Sequence, residues 1–413
     1  MHTLDQLNRG ELKGVVRLQL SDNLTTFPEA IFDLADSLEI LDLSNNKLSE
    51  LPTDLSRLTK LRIVFCSNNR FTHLPEALGR CENLEMIGFK SNQITRVSSD
   101  SLPAITRWLI LTDNKITSLP KDFGRLTRLQ KLALAGNRLT TLPDSIVNCR
   151  NLELIRLSAN QLAAFPDVLL TLPRLAWLAF SGNPFCAARD PHNEFKTVPF
   201  RDLELHQVLG QGASGVISLA TWRENPFHFS DSVAVKVFKG EVTSDGYPQD
   251  ELDACLAVGS HKNLVRPLAK VAEVDCSALV MELIPAHYTN LGQPPSLASC
   301  TRDTFAQDQQ FSVDKIARII EQVDQLVAYF CEKKVSHGDL YAHNILINEE
   351  GHVLFGDFGA ASRYGNLSLQ QQQGIEQIER RALGFFIDDM LGLCVEADRK
   401  SDLYISLRSH AFS

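Results

Sequence analysis

Leucines and other apolar residues recur in the register LxxLxLxxN from about residue 15 to residue 185. The register closes on Asn23, Asn46, Asn69, Asn92, Asn114, Asn137, Asn160 and Asn183, spaced 23 residues apart except for 22 between Asn92 and Asn114. Within one unit, Leu41 and Leu43 alternate as they would on a short strand and point inward. Asn46 turns the chain, its amide able to satisfy backbone groups in the turn. Leu48 and Leu51 refill the core, and Pro52 opens the return segment. A unit this short cannot cover its own apolar face, so stacking must supply the stability.

Period and pattern together resemble leucine-rich repeats, and eight copies make the match specific. The resemblance implies a solenoid of horseshoe form over residues 1–186. The strand positions between the leucines then face its concave side. Six residues before the asparagines stand Ile40, Ile63, Met86, Trp108 and Trp177, and four before stand Phe65, Ile110 and Ala179 among others. Concave faces are usually more polar. The run Ile63, Phe65, Met86, Trp108 and Ile110 therefore reads as a contact patch for a protein partner or substrate, against the alternative of lateral packing between neighbouring strands.

The pattern stops near Phe185. Residues 186–201, CAARDPHNEFKTVPFR, are polar with two prolines and no period, and we read 187–202 as a short linker. From 203 onward the apolar runs are longer: LELHQVLGQGASGVISL, then VAVKVF, then Leu279–Ile284. Ser312 can cap a helix whose Ile316, Ile319, Ile320, Val323, Leu326, Val327 and Phe330 have helical spacing. Ile345–Ile347 and Val353–Phe355 predict a hairpin with its turn at Asn348–Gly351. Residues 285–310 read as a loop or lid.

The chemistry gathers around VSHGDLYAHNILINEEGHVLFGDFG, residues 335–359. Asp339 is followed by Asn344 and, after the hairpin, by Asp357, so three oxygen-bearing side chains stand at one end of a small sheet. Phosphoryl transfer needs such a set: hard Mg²⁺ takes carboxylate and amide oxygens, and a further carboxylate orients the attacking hydroxyl and takes its proton. Upstream, Gly210, Gly212 and Gly215, followed by Val216, form a glycine-rich run of the GxGxxGxV kind, which lets backbone N–H groups approach phosphates. Lys236, inside a valine-rich strand, needs a buried partner. Glu251 can supply it, with Asp250 and Asp253 as neighbours one turn away.

Taken together these motifs resemble the protein-kinase domain. The resemblance implies Asp339 as base, Asn344 and Asp357 as metal ligands, and Lys236 as the phosphate-contacting lysine. It further implies an ATP site bordered by Leu209, Gly210, Gly212, Gly215, Val216, Ala234, Lys236, Glu251, Glu282 and Ile284, with ATP and Mg²⁺ as cofactors. The expected fold is thus multidomain: an α/β leucine-rich-repeat solenoid, then a two-lobed, α+β kinase-like domain over 203–413, similar to bacterial leucine-rich-repeat protein kinases. Several departures stand out. Gly338 replaces the arginine before the base, and Tyr341 replaces the lysine usual in serine/threonine kinases. No APE follows DFG, and Glu379 stands where a helix usually begins with aspartate. Only 29 residues follow Gly384 (413 − 384), which implies a truncated large lobe. HGDxxxxN also resembles aminoglycoside and choline phosphotransferases, which act on small molecules. A third reading is a repeat scaffold with a degenerate kinase domain, against which the intact Lys236, Asp339, Asn344 and Asp357 argue. The leading expectation is a serine/threonine-protein kinase whose repeats choose the partner.

Composition adds limits. A net charge of −9 disfavours nucleic acid or an anionic membrane as partner. Nine cysteines without CxxC pairing point to reduced thiols in a cytoplasm. The opening MHTLDQLNRGELKG lacks the apolar core of a secretory signal, and no apolar run is long enough to span a membrane.

Overall fold

The computed structural model describes residues 2–186, 195–212, 214–239, 242–243 and 245–411. The chain forms two compact units. One comprises residues up to Leu175 together with Asn183–Phe185; the other comprises Ala176–Gly182 and the chain from Cys186 onward. The sequence pattern sets the end of the repeats at 186, whereas by contacts residues 176–182 go with the second unit.

In the first unit a short helix, α1 (Leu4–Asn8), capped by Thr3, leads into one three-residue strand per repeat. These are β1 (Arg17–Gln19), β2 (Ile40–Asp42), β3 (Ile63–Phe65), β4 (Met86–Gly88), β5 (Trp108–Ile110), β6 (Lys131–Ala133) and β7 (Leu154–Arg156). They pair in parallel in chain order, Leu18 beside Leu41 beside Val64 and so on to Ile155. The central residue of every strand is buried. From Asn46 to Asn160 each repeat asparagine bonds its own turn and the preceding repeat, whereas Asn23 is exposed at the start of the array. Asn46 Nδ2 donates to the Leu20 and Leu43 carbonyls at 2.8 and 2.9 Å, and its Oδ1 accepts from Leu24 N at 2.9 Å. The residue just before the ladder asparagine takes a left-handed backbone, as at Asn45, Asn68, Ser91, Asp113 and Gly136. Short polar residues and glycine tolerate that geometry, which explains their recurrence there.

The concave positions divide. Ile63 and Met86 are buried, which corrects the expectation that they lie on an open contact patch. Phe65, Trp108 and Ile110 stay half-buried. A Cβ on Gly88 would lie 2.5 Å from the Phe65 ring, so the ring lies over the next strand. Lys131 Nζ stands 4.3 Å above the Trp108 ring. Lateral packing therefore accounts for much of this surface.

The second unit opens with β8 (Trp177–Ala179). Of the segment read as linker, 187–194 lies outside the described residues. In its remainder Thr197 bridges to Lys270, and Val198 is buried with the small-lobe core. The small lobe is an antiparallel sheet of β9 (Leu203–Gln211), β10 (Gly215–Trp222), β11 (Ser232–Phe238), β12 (Pro267–Ala272) and β13 (Ser277–Glu282), in the order β12-β13-β11-β10-β9. Helix α2 (Pro248–Val258) starts at a proline, whose missing N–H costs nothing in the first turn. Residues 285–310 contribute only β14 (Thr289–Asn290) as regular structure.

The large lobe is built on α3 (Val313–Glu332), capped by Ser312 and burying the whole predicted apolar stripe. β15 (Val335–Ser336) then leads to the hairpin of β16 (Ile345–Ile347) and β17 (Val353–Phe355), paired Ile345 with Phe355. β18 (Ser362–Arg363) pairs with β15. Two helices close the chain, α4 (Leu369–Gly392) and α5 (Asp402–His410). Among the described residues, a 3-10 turn (Glu396–Asp398) and α5 follow α4. Glu379 sits in the middle of α4, not at a helix start: Ser368 caps that helix well before it.

Candidate active site

The hairpin and the small-lobe sheet face one cleft of about 890 Å³. Its walls include Leu209, Gly210, Ala234, Lys236, Glu251, Glu282, Ile284, Asn344 and Asp357, all expected from sequence. A smaller recess beside it is lined by Gly212, Gly215, Lys236 and Asp357. Val216 borders neither. The wall residue is Ile217, because alternation along β10 turns Gly215, Ile217 and Leu219 to the side opposite Val216. The sequence pattern also passed over Val265, Met281 and Leu346, apolar wall residues with no polar signature to mark them.

The glycines serve different purposes. A Cβ at Gly210 or Gly212 would meet nothing within 4 Å, which leaves that backbone open towards the recess. At Gly215 it would fall 2.4 Å from the Val237 carbonyl, so the pairing of β10 with β11 forbids any side chain.

Lys236 is buried on β11 and forms an ion pair and hydrogen bond with Glu251 of α2. Of the three acids that sequence leaves open, Glu251 is the partner. Asp357 Oδ1 lies 3.7 Å from Lys236 Nζ and accepts from Gly359 N at 3.0 Å. Burial disfavours the Lys236 charge, but Asp357 and Glu251 outweigh it and the ammonium is held above its ordinary value. Burial pushes the Glu251 carboxyl up to about 7 against the pull of Lys236, with Asp357 adding to the rise. Asp357 opens onto the cleft; partial desolvation by the surrounding protein opposes its charge, yet Lys236 and the Gly359 N–H hold it below the usual carboxylate range. Of the two carboxylates beside the ammonium, Asp357 keeps its charge and faces the cleft, where it can meet a further cation.

Asn344 is fixed on Asp339: its Nδ2 donates to the Asp339 carbonyl at 3.0 Å and to Oδ2 at 2.9 Å. With its nitrogen so engaged, the amide has its oxygen left as the ligating atom. Asn344 Oδ1 and Asp357 are hard oxygen donors of the kind Mg²⁺ prefers, so the donor set fits the metal. Asp339 is itself held from behind. Glu379 of α4 accepts from Ser336 Oγ at 2.7 Å and from the backbone N–H groups of His337 and Gly338, each at 3.1 Å. Further along the same loop, His343 N and Nδ1 contact the Asp303 carboxylate at 3.2 and 2.6 Å. Neither Asp303 nor the role of Glu379 is legible in the sequence, since both act on residues distant along the chain.

Residues 203–383 match the family model "protein tyrosine and serine/threonine kinase". Residues 37–58, 106–162 and 127–185 match leucine-rich-repeat models. Fibroblast growth factor receptor 1 is 27% identical over 169 residues in Xenopus laevis (38% of this chain, 21% of the receptor) and 26% identical over 183 residues in Pleurodeles waltl (42% and 22%). Aurora kinase C of Mus musculus is 30% identical over 172 residues, covering 40% of this chain and 55% of that one. A solved leucine-rich-repeat protein of Leptospira interrogans has a TM-score of 0.37 at 28% identity, covering 43% of this chain and 52% of its own. The second unit is accordingly a protein-kinase domain, and the first carries leucine-rich repeats. The chain spans about a fifth of the length of the two receptors and about half that of the Aurora kinase.

Proposed function

We propose that this chain is an ATP- and Mg²⁺-dependent protein kinase that phosphorylates serine or threonine, with its repeats binding the protein partner or substrate. The observation that carries this reading is that two fixed sets of polar side chains meet at one cleft: Lys236 paired with Glu251 and near Asp357, and the wall residue Asn344 locked onto Asp339. Asp339 accepts the proton of the acceptor hydroxyl as the hydroxyl oxygen attacks the γ-phosphorus, the bond from that phosphorus to the β-phosphate oxygen breaks, and ADP leaves. Lys236 donates to phosphate oxygens, and the open backbone at Gly210 and Gly212 admits them closely. Asn344 and Asp357 would hold Mg²⁺, which when bound neutralises charge on the transferring phosphate. Leu209, Ala234 and Ile284 supply apolar contact for a base, with Glu282 at the edge of the cleft. Nine free cysteines, most of them buried, support a cytoplasmic setting. Among the described residues no helix is long and apolar enough to cross a membrane.

The test is transfer from labelled ATP to a generic protein substrate, followed by phosphoamino-acid analysis. Phosphoserine or phosphothreonine supports the reading, and phosphotyrosine alone overturns its choice of hydroxyl. A small-molecule hydroxyl kinase is the second reading. It is favoured by the short stretch from Gly359 to the α4 cap at Ser368, in which Ser362 and Tyr364 are buried. Activity on small alcohols and none on proteins would decide for it. For the repeats, Phe65→Asp with Trp108→Asp should raise KM for a protein substrate and leave a short generic peptide unaffected. Ile110, half-buried like Phe65 and Trp108, completes the proposed face, and Ile63 and Met86 lie beneath it as a supporting layer.

A further inference from the structure

Two departures from the kinase pattern, Gly338 and Tyr341, flank Asp339 and meet the same short segment. Trp177 of β8 is buried, and its Nε1 donates to the carbonyl of Leu340 at 3.0 Å, one residue after Asp339. Its indole stacks on the Tyr341 ring, 4.6 Å between centroids and 9° between planes, and on Phe385 of α4 at 5.3 Å and 19°. Further along the same segment, the N–H groups of Phe180 and Ser181 donate to Ser362 Oγ at 2.9 and 3.1 Å.

The fit at Gly338 is closer still. Its φ of +69° suits glycine, and a Cβ there would fall 2.6 Å from the Leu178 carbonyl and 2.8 Å from that of Ala360. An arginine at 338 and the backbone of residues 177–181 cannot share this space. Tyr341, where serine/threonine kinases carry a lysine, is buried beneath the indole. The loop that carries the base is therefore gripped from one side by Glu379 and from the other by residues 177–181. The stacked rings hold the segment against the loop. The hydrogen bond to Leu340 adds direction, fixing the peptide adjoining the base.

We propose that Trp177 is a positioning residue for phosphoryl transfer, a brace from the last repeat strand that sets the catalytic loop in place of the arginine absent at 338. The inference rests on the kinase reading of Asp339. It makes transfer depend on a residue that precedes the kinase-homologous region and touches neither nucleotide nor metal ligand.

The experiment measures kcat, KM for ATP, the dissociation constant for a fluorescent Mg-ATP analogue and the melting temperature. It uses the full chain, Trp177→Phe and Trp177→Ala. Phenylalanine keeps a ring for Tyr341 and loses the N–H donor; alanine loses both. We expect kcat to fall about tenfold in Trp177→Phe and about a hundredfold in Trp177→Ala, in keeping with the sensitivity of transfer to misplacement of the base. Nucleotide affinity should stay within about twofold, because the cleft walls are untouched. Trp177→Phe should melt close to the wild type, so its loss of kcat is not a loss of folded protein. If the wild type transfers and Trp177→Phe and Trp177→Ala both retain its kcat, the inference falls alone. It falls equally if kcat, affinity and melting temperature decline together in Trp177→Phe, since that is a general packing defect. A wild-type chain that binds Mg-ATP and transfers nothing overturns the kinase reading, and this inference with it.

Discussion

At the scale of single residues, activity turns on which groups carry charge in the cleft. Asp339→Asn keeps the shape and the Asn344 contact but removes the base, and kcat should fall roughly 10²–10⁴-fold with nucleotide affinity retained. Asp357→Asn removes a proposed metal ligand, so its loss of activity should come with weakened Mg²⁺ dependence of nucleotide binding in a titration. Glu251 gives a prediction in pH. Its carboxyl is raised from an ordinary 4.5 to about 7 in the fold, so the native state holds that proton more firmly than the unfolded chain does. Its stabilising contribution is therefore full below about 4.5 and is lost as pH rises through about 7. Glu251→Gln should accordingly gain in melting temperature relative to wild type, without nucleotide, between about pH 5 and pH 8. A difference that stays flat across that range contradicts the assigned burial. That Lys236, Glu251, Asn344 and Asp357 border one cleft was legible from their offsets along the chain, which are those phosphoryl chemistry would demand. Val216 shows the limit: which strand residue borders the cleft depends on the pleat, and a motif match one position off places the side chain on the wrong face.

At the scale of elements, the repeats were legible almost entirely, because one leucine register fixes strand, turn and stacking together. The asparagine ladder permits a direct test. Asn114 accepts from Ile94 N at 2.9 Å and donates to the Phe89 and Leu111 carbonyls at 2.9 and 3.1 Å. Asn114→Ala would strand the buried Ile94 N–H, while the Phe89 and Leu111 carbonyls keep Asn92 and Asn137 as donors, and should lower stability by about 1–3 kcal/mol in urea unfolding, the cost of one stranded group. A loss under about 1 kcal/mol would mean the turn does not depend on the amide. The concave face was less legible. Ile63 and Met86 vanish into lateral packing, and Phe65 lies over Gly88, because a three-residue strand set beside its neighbours at one residue per repeat leaves large side chains touching. The α3 stripe and the β16–β17 hairpin were legible from spacing and turn chemistry. The span and cap of α4 were not, for Gln370 to Gln373 carry no periodic signal.

At the scale of the whole molecule, the proposed kinase activity should not be controlled by phosphorylation of the segment after DFG. Ser362 is buried with its hydroxyl accepting two backbone N–H groups, and Tyr364 is buried, burial driving its phenol far above its ordinary titration range. Neither can be reached by another kinase without local unfolding, so phosphatase treatment should leave the rate unchanged. Loss of activity on dephosphorylation, with recovery on rephosphorylation at these residues, contradicts this. Sequence could indicate the shortness of that segment and the missing arginine. It could not indicate what replaced them, because Trp177 and Leu340 meet across 163 residues. The kinase reading is tested most sharply by transfer of label from γ-labelled ATP with Mg²⁺ by the purified full chain, compared with Asp339→Asn. We expect phosphorylated serine or threonine in the wild-type reaction and a loss of at least about a hundredfold in the variant, both proteins binding nucleotide alike. Equal transfer by the two, or none by a wild-type chain that binds Mg-ATP, would contradict it.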